Sequence, residues 1–125
     1  MSIDPRVDIG HVHLKVSDID RALSFYRDIL GFEVMQRLGD QAAFVSAGGY
    51  HHHLGLNTWA GEGAPPASPG ASGLRHYTIE VPQAADLTAI SDRLAGAGVA
   101  VTDAGDGAFL VDDPSRNRVL LRVRP

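Results

Sequence analysis

The 125-residue chain contains no cysteine. That excludes disulfides, thiolate metal ligands and a cysteine nucleophile, and it fits a reducing cytoplasm, the expected location. Lysine is nearly missing as well: ten of the eleven basic residues are arginine, and Lys15 is the exception. The formal net charge is −4. Without a basic stripe to neutralise phosphates, nucleic acid is not an expected partner. Four arginines crowd the C-terminus, Arg116, Arg118, Arg122 and Arg124; they read as a solvated strand edge rather than an anion site. No apolar run is long enough to span a bilayer, so no membrane association is expected. The opening residues, Met1 to Arg6, hold no apolar signal core. What remains is 44% hydrophobic and 21% charged, an ordinary globular balance, and the length suits a single domain over residues 1–125.

That domain is written twice. Residues 9–16 alternate, with Val12, Leu14 and Val16 on one face and His11, His13 and Lys15 on the other, which predicts a strand with two chemically different sides. Ser17 offers an N-cap, with Asp20 three residues on. The stripe Ile19, Ala22, Leu23, Tyr26, Ile29 and Leu30 then predicts a helix that Gly31 stops. Three short strands follow near 32–38, 41–47 and 50–58. Residues 59–73 are rich in glycine, proline and small side chains and read as a connector. The second half restarts at His76-Tyr-Thr-Ile-Glu-Val81, continues with a helix over about 84–95 carrying Leu87, Ile90 and Leu94, and ends in a strand over 117–123. The pattern predicts an α+β fold of two βαβββ repeats, about 9–58 and 74–124, forming a cupped, partly open β-barrel with its helices outside.

All six histidines fall on predicted strands: His11, His13, His51, His52, His53 and His76. His11 and His76 hold equivalent positions, so packing about a pseudo-twofold axis brings them toward each other. Two neutral imidazoles begin a divalent-metal site, which needs at least one further ligand. Alternation puts His51 and His53 on one face and His52 on the other.

The segment Gly10–Phe32, reading Gly-His-Val-His-Leu-Lys-Val-Ser-Asp-Ile-Asp-Arg-Ala-Leu-Ser-Phe-Tyr-Arg-Asp-Ile-Leu-Gly-Phe, resembles the opening of vicinal oxygen chelate proteins, which include glyoxalases, bleomycin resistance proteins and extradiol dioxygenases. Tyr50–Trp59 and Leu74–Val81 are most similar to catechol 2,3-dioxygenase-like members. The resemblance implies metal ligands at His11 and His76, and a third, a glutamate, on the last strand after an Asp-Pro-Asp-Gly turn. Here that turn reads Asp113-Pro114-Ser115-Arg116, and Leu120 stands in the glutamate position. The further glutamate of glyoxalases falls on Leu54, and an active-site tyrosine of ring-cleaving members falls on Leu110. The acid/base histidine of ring-cleaving relatives falls on His52.

Two functions follow from the resemblance. One is an enzyme, dioxygenase-like or glyoxalase-like, with Fe, Mn, Ni or Zn on His11 and His76 and an altered ligand set. In it His13 or His52 adds a nitrogen or an acid/base, or Glu80 a carboxylate, and the substrate chelates through vicinal oxygens. The other is a metal-free binding protein for an aromatic or drug-like ligand, its pocket lined by Trp59, Phe44, Phe109, Tyr77 and the histidines. Two-repeat members commonly form homodimers, which the resemblance also implies here.

Overall fold

The first strand, β1 (Val12–Lys15), turns Leu14 inward and leaves His13 and Lys15 exposed, as period-two alternation requires. The computed structural model that shows this describes residues 4–5, 11–49, 53–66 and 74–125. After β1 comes α1 (Ile19–Leu23), which continues as a π-helical turn over Ser24–Ile29. Its N-cap is Asp18 rather than Ser17: the Asp18 carboxylate accepts from the Arg21 N–H at 2.8 Å. Ser17 instead joins the two repeats, its N–H donating to Ser115 Oγ at 2.8 Å. The π-turn is closed by the Leu30 N–H donating to the Phe25 carbonyl. The wider turn brings Phe25 inward beside Tyr26, a buried residue the 3.6-residue stripe does not predict. Gly31, at φ +92°, ends the helix in the conformation a side chain disfavours.

Strands β2 (Glu33–Leu38), β3 (Ala42–Ser46) and β4 (Leu54–Asn57) complete the first repeat. The second runs β5 (Tyr77–Val81), α2 (Ala84–Gly96), β6 (Thr102–Gly105), β7 (Ala108–Asp112) and β8 (Arg118–Val123). Each repeat forms a four-stranded mixed sheet, ordered β1-β4-β3-β2 and β5-β8-β7-β6. The parallel pairs are β1–β4 and β5–β8, and a bulge interrupts the β2–β3 and β6–β7 pairings alike. The duplication predicted from the sequence therefore extends to register. The two sheets do not close into a barrel, so the cup is open. No helix among the described residues is long and apolar enough to cross a membrane.

One face of each sheet carries the helices. Leu14, Val45 and Leu56 from the first sheet share a continuous core with Leu94, Val119 and Leu121 from the second repeat. Each such side chain contributes about 1.5–3 kcal/mol when fully buried. The predicted helical stripes lie in or against this core, Leu87, Ile90 and Leu94 among them.

Polar groups cross the joint as well. Tyr77 donates its hydroxyl to Tyr26 Oη at 3.0 Å, and Tyr26 donates to Asp113 Oδ2 at 2.6 Å. Asp113 also accepts from the Ser115 and Asn117 N–H groups and from Asn117 Nδ2. Asn117 Nδ2 in turn donates to the Lys15 carbonyl at 2.8 Å. Burial pushes both tyrosine hydroxyls upward in pKa. It pushes the Asp113 carboxyl up too, against the pull of its four donors. On the far side Arg93 Nε of α2 donates to the Ile29 carbonyl at 2.6 Å, covering the open end of the first helix.

Tyr26→Phe removes the central hydroxyl and leaves Tyr77 and Asp113 each short of a partner. We expect a loss of about 1–3 kcal/mol, read as a lower urea midpoint at unchanged slope; an unchanged midpoint refutes the network's contribution. The sign of the pH effect follows from the raised Asp113 pKa. Its contribution is fully present below the unfolded value of about 3.9 and is lost as pH rises through the native value. Asp113→Asn therefore flattens the stability profile in that acidic window, measured by urea melts across pH.

Candidate functional site

The faces turned away from the helices form the inside of the cup. On the first sheet His13, Gly55 and Phe44 lie in one row, since Gly55 is in register with both. A Cβ on Gly55 would stand 2.7 Å from His13 Cε1 and Nδ1. The missing side chain is thus what lets the imidazole lie across β4. The His13 and Phe44 rings meet edge to face with centroids 6.3 Å apart. His11 touches His13 the same way at 5.0 Å. Trp59 stacks on His13 at 6.4 Å and 26°. Trp59 itself is 66% exposed, an unusual place for the chain's one tryptophan.

On the second sheet Thr78, Leu120 and Leu110 form the matching row. Ion pairs flank it: Arg118 Nε–Asp112 Oδ1 at 3.1 Å on one side and Arg122 Nη2–Glu80 Oε2 at 2.8 Å on the other. Leu120 is half-buried in the middle of this face, an apolar side chain where the resemblance implies a carboxylate.

Two cavities open along the seam between the sheets. The larger, about 660 Å³, has largely apolar walls, including Phe32, Ile79, Ile90 and Leu121, with His11, His53, Thr78 and Glu80 as polar groups. The smaller, about 280 Å³, is lined by His13, Lys15, His76, Arg116 and Arg118. The start of β1 and the whole length of β5 border the first cavity, and the rest of β1 with the residues leading into β5 border the second. His11 borders the first and His13 the second, with their rings in contact.

This arrangement distributes the predicted site residues unevenly. His76 shares its cavity with His13, whereas His11 lines the other. His53 precedes β4, and its Nδ1 accepts from the Ala47 N–H at 3.2 Å, which occupies that nitrogen. Phe109 is in phase with Val111 and packs into the core at 7% exposure, outside the lining of both cavities. Tyr77 likewise faces inward with Ile79, its hydroxyl bound to Tyr26, although its ring borders both cavities. Alternation decides both cases, because the residues pointing into the cup are Ala108, Leu110, Thr78 and Glu80. His51 and His52 lie outside the described residues.

A divalent metal of the implied kind does not fit the described residues. Among them no three His, Asp or Glu side chains converge on a point that could hold one. Leu120 offers no donor atom, and Glu80 is held by Arg122. Sequence reading missed Gly55 as the space under His13, and Lys15 and Arg116 as lining of the smaller cavity. Two of these left a signal: Lys15 is the lone lysine, and Arg116 stands where the resembling turn has glycine.

Comparison with known proteins agrees with the fold. The sequence profile of the Glyoxalase/Bleomycin resistance protein/Dioxygenase superfamily matches residues 8–121. A catechol-2,3-dioxygenase of Bacillus subtilis (strain 168) is 48% identical over 107 residues, 85% of this chain and 37% of that protein. The chain thus spans little more than a third of that relative's length. A glyoxylase/bleomycin resistance protein/dioxygenase domain from Frankia sp. EAN1pec superposes with a TM-score of 0.72 at 26% identity, covering 94% of this chain and 93% of that one. A lactoylglutathione lyase from Agrobacterium tumefaciens shares the fold, with a TM-score of 0.70 at 24% identity over 94% of each chain.

Gly55→Ala tests the cradle. The added Cβ displaces the His13 ring at an expected cost of about 1–3 kcal/mol, and Trp59 emission changes as its stacking partner leaves. In a His13→Ala background the cost should nearly vanish. An equal penalty in both backgrounds, measured by urea melts, refutes the contact.

Proposed function

The chain belongs to the glyoxalase/bleomycin resistance protein/dioxygenase superfamily, and from that premise we propose that it binds a small organic molecule with an aromatic body along the His11–His13 wall, without a two-histidine, one-carboxylate metal centre. The observation that carries the metal-free part of this reading is the row Thr78–Leu120–Leu110 between two ion pairs. It gives the inside of the second sheet an apolar stripe in place of a ligating acid. The larger cavity is of a size and polarity suited to a small organic ligand: mostly apolar walls that desolvate a ring, with a few polar groups to orient it. The imidazoles supply both a stacking face and hydrogen-bonding nitrogens. His11 joins that cavity to the stack His13–Trp59.

A second reading, ring cleavage of a catechol with Fe(II), is favoured by the 48% match to a catechol-2,3-dioxygenase. The two readings part on metal dependence. On the binding reading, catechol quenches Trp59 emission equally in chelator-treated and Fe(II)-loaded protein. His13→Ala then weakens binding by about three- to tenfold, as expected for one ring contact of about 0.5–1.5 kcal/mol. Binding that appears only with Fe(II), and disappears in His11→Ala or His76→Ala together with bound iron on elemental analysis, sinks the binding reading. For the second reading, protein loaded with Fe(II) anaerobically and then given catechol and oxygen should accumulate a coloured ring-opened product, and a flat absorbance trace removes it.

A further inference from the structure

The smaller cavity carries charge that the reading above does not use. Lys15, Arg116 and Arg118 line it, and among the described residues no aspartate or glutamate does. Arg118 is partly neutralised by Asp112. The nearby Asp113 has its oxygens occupied by Tyr26, Ser115 and Asn117. The ion pairs of the described residues use Arg27, Arg37, Arg118 and Arg122, and none reaches Lys15 or Arg116. Two cations therefore face a concave space in a chain whose net charge is −4.

The fold holds both in place, Arg116 at a backbone cost. Arg116 sits at φ +62°, a left-handed conformation that favours glycine. Lys15 is anchored through its carbonyl, which accepts from Asn117 Nδ2 at 2.8 Å, so the end of β1 is tied to the turn that carries Arg116. Ser115 adds a hydroxyl that accepts from the Ser17 N–H and lines the same cavity. It donates to no described residue, which leaves its proton for a ligand.

We propose that this cavity is an anion subsite that takes the carboxylate of the bound molecule, so that the ligand is an aromatic acid rather than a neutral phenol. The ring half of this statement rests on the binding reading above; the anion half rests on Lys15, Arg116 and Ser115 alone. An ammonium, a guanidinium fork and a hydroxyl are the donors a carboxylate or phosphate oxygen pair accepts from. His13 borders this cavity while His11, whose ring centroid is 5.0 Å away, borders the apolar one; the proposed ligand places its acid group on the His13 side and its ring on the His11 side.

Calorimetric titration of the whole chain with benzoate, catechol and inorganic phosphate tests this, using Lys15→Gln, Arg116→Gly and the double variant. Glycine is at ease at the Arg116 conformation, so Arg116→Gly should melt no lower than wild type while losing the charge. Benzoate is expected to bind more tightly than catechol and to weaken with added salt. Each single variant should weaken benzoate about tenfold and leave catechol unchanged. Benzoate affinity that is the same in wild type and both variants overturns the anion subsite and leaves the aromatic reading standing. Phosphate binding that is lost in the variants, with neither aromatic probe bound, sustains the anion subsite as a phosphate site and overturns the aromatic reading. Failure of all three probes to bind overturns both.

Discussion

The buried chain of hydroxyls from Tyr77 through Tyr26 to Asp113 is the interaction on which the rest of the molecule depends. Each repeat forms its own hydrogen-bonded sheet, and among the described residues no ladder of backbone bonds joins the two. They are joined by shared apolar packing, by this polar chain, extended by Asn117 to the Lys15 carbonyl and by Ser115 to the Ser17 N–H, and by Arg93 on the Ile29 carbonyl. Apolar packing is not directional. The hydroxyl chain is, and it fixes how one repeat sits against the other. Tyr77, at one end of that chain, borders both cavities.

The same constraint explains the division between core and site. With helices on one face of each sheet, alternation sends every second residue into the cup. In the first repeat this delivers His13, Phe44 and Lys15 to the inside. In the second it delivers Thr78, Glu80, Arg118, Leu120 and Arg122, and it withholds Tyr77 and Phe109. Gly55 then decides what the inside can do. By leaving space over β4, it lets one imidazole lie flat enough to meet His11, Phe44 and Trp59.

Charge is arranged as unevenly as the aromatics. Arg118 and Arg122 read from sequence as a solvated edge, and they largely are: both are about half exposed and paired with acids, contacts worth little to stability. Arg116 departs from that reading only because the turn at Asp113 folds it back toward Lys15. No sequence pattern connects residues 15 and 116, and the cationic cavity is a product of the joint between repeats.

How much was legible in the sequence follows from the range of the forces involved. Local alternation and helical spacing, with Gly31 as a stop, were enough for the repeat, the helices and the inward stripes, since these depend on neighbours a few residues away. The resemblance of Gly10–Phe32 to its family was legible for the same reason. The N-cap at Asp18 and the π-turn that buries Phe25 were not, because each depends on fine backbone geometry. The pairing of His11 with His76 followed from symmetry alone, and the structure seats these two histidines in different cavities. By itself, the sequence determined a duplicated α+β fold without thiol chemistry, with leucine where the resemblance implies a ligating acid. Only the tertiary structure decided which side chains share a cavity, because that depends on the angle and register at which two separate sheets meet, set by contacts between residues as far apart as Tyr26 and Asp113.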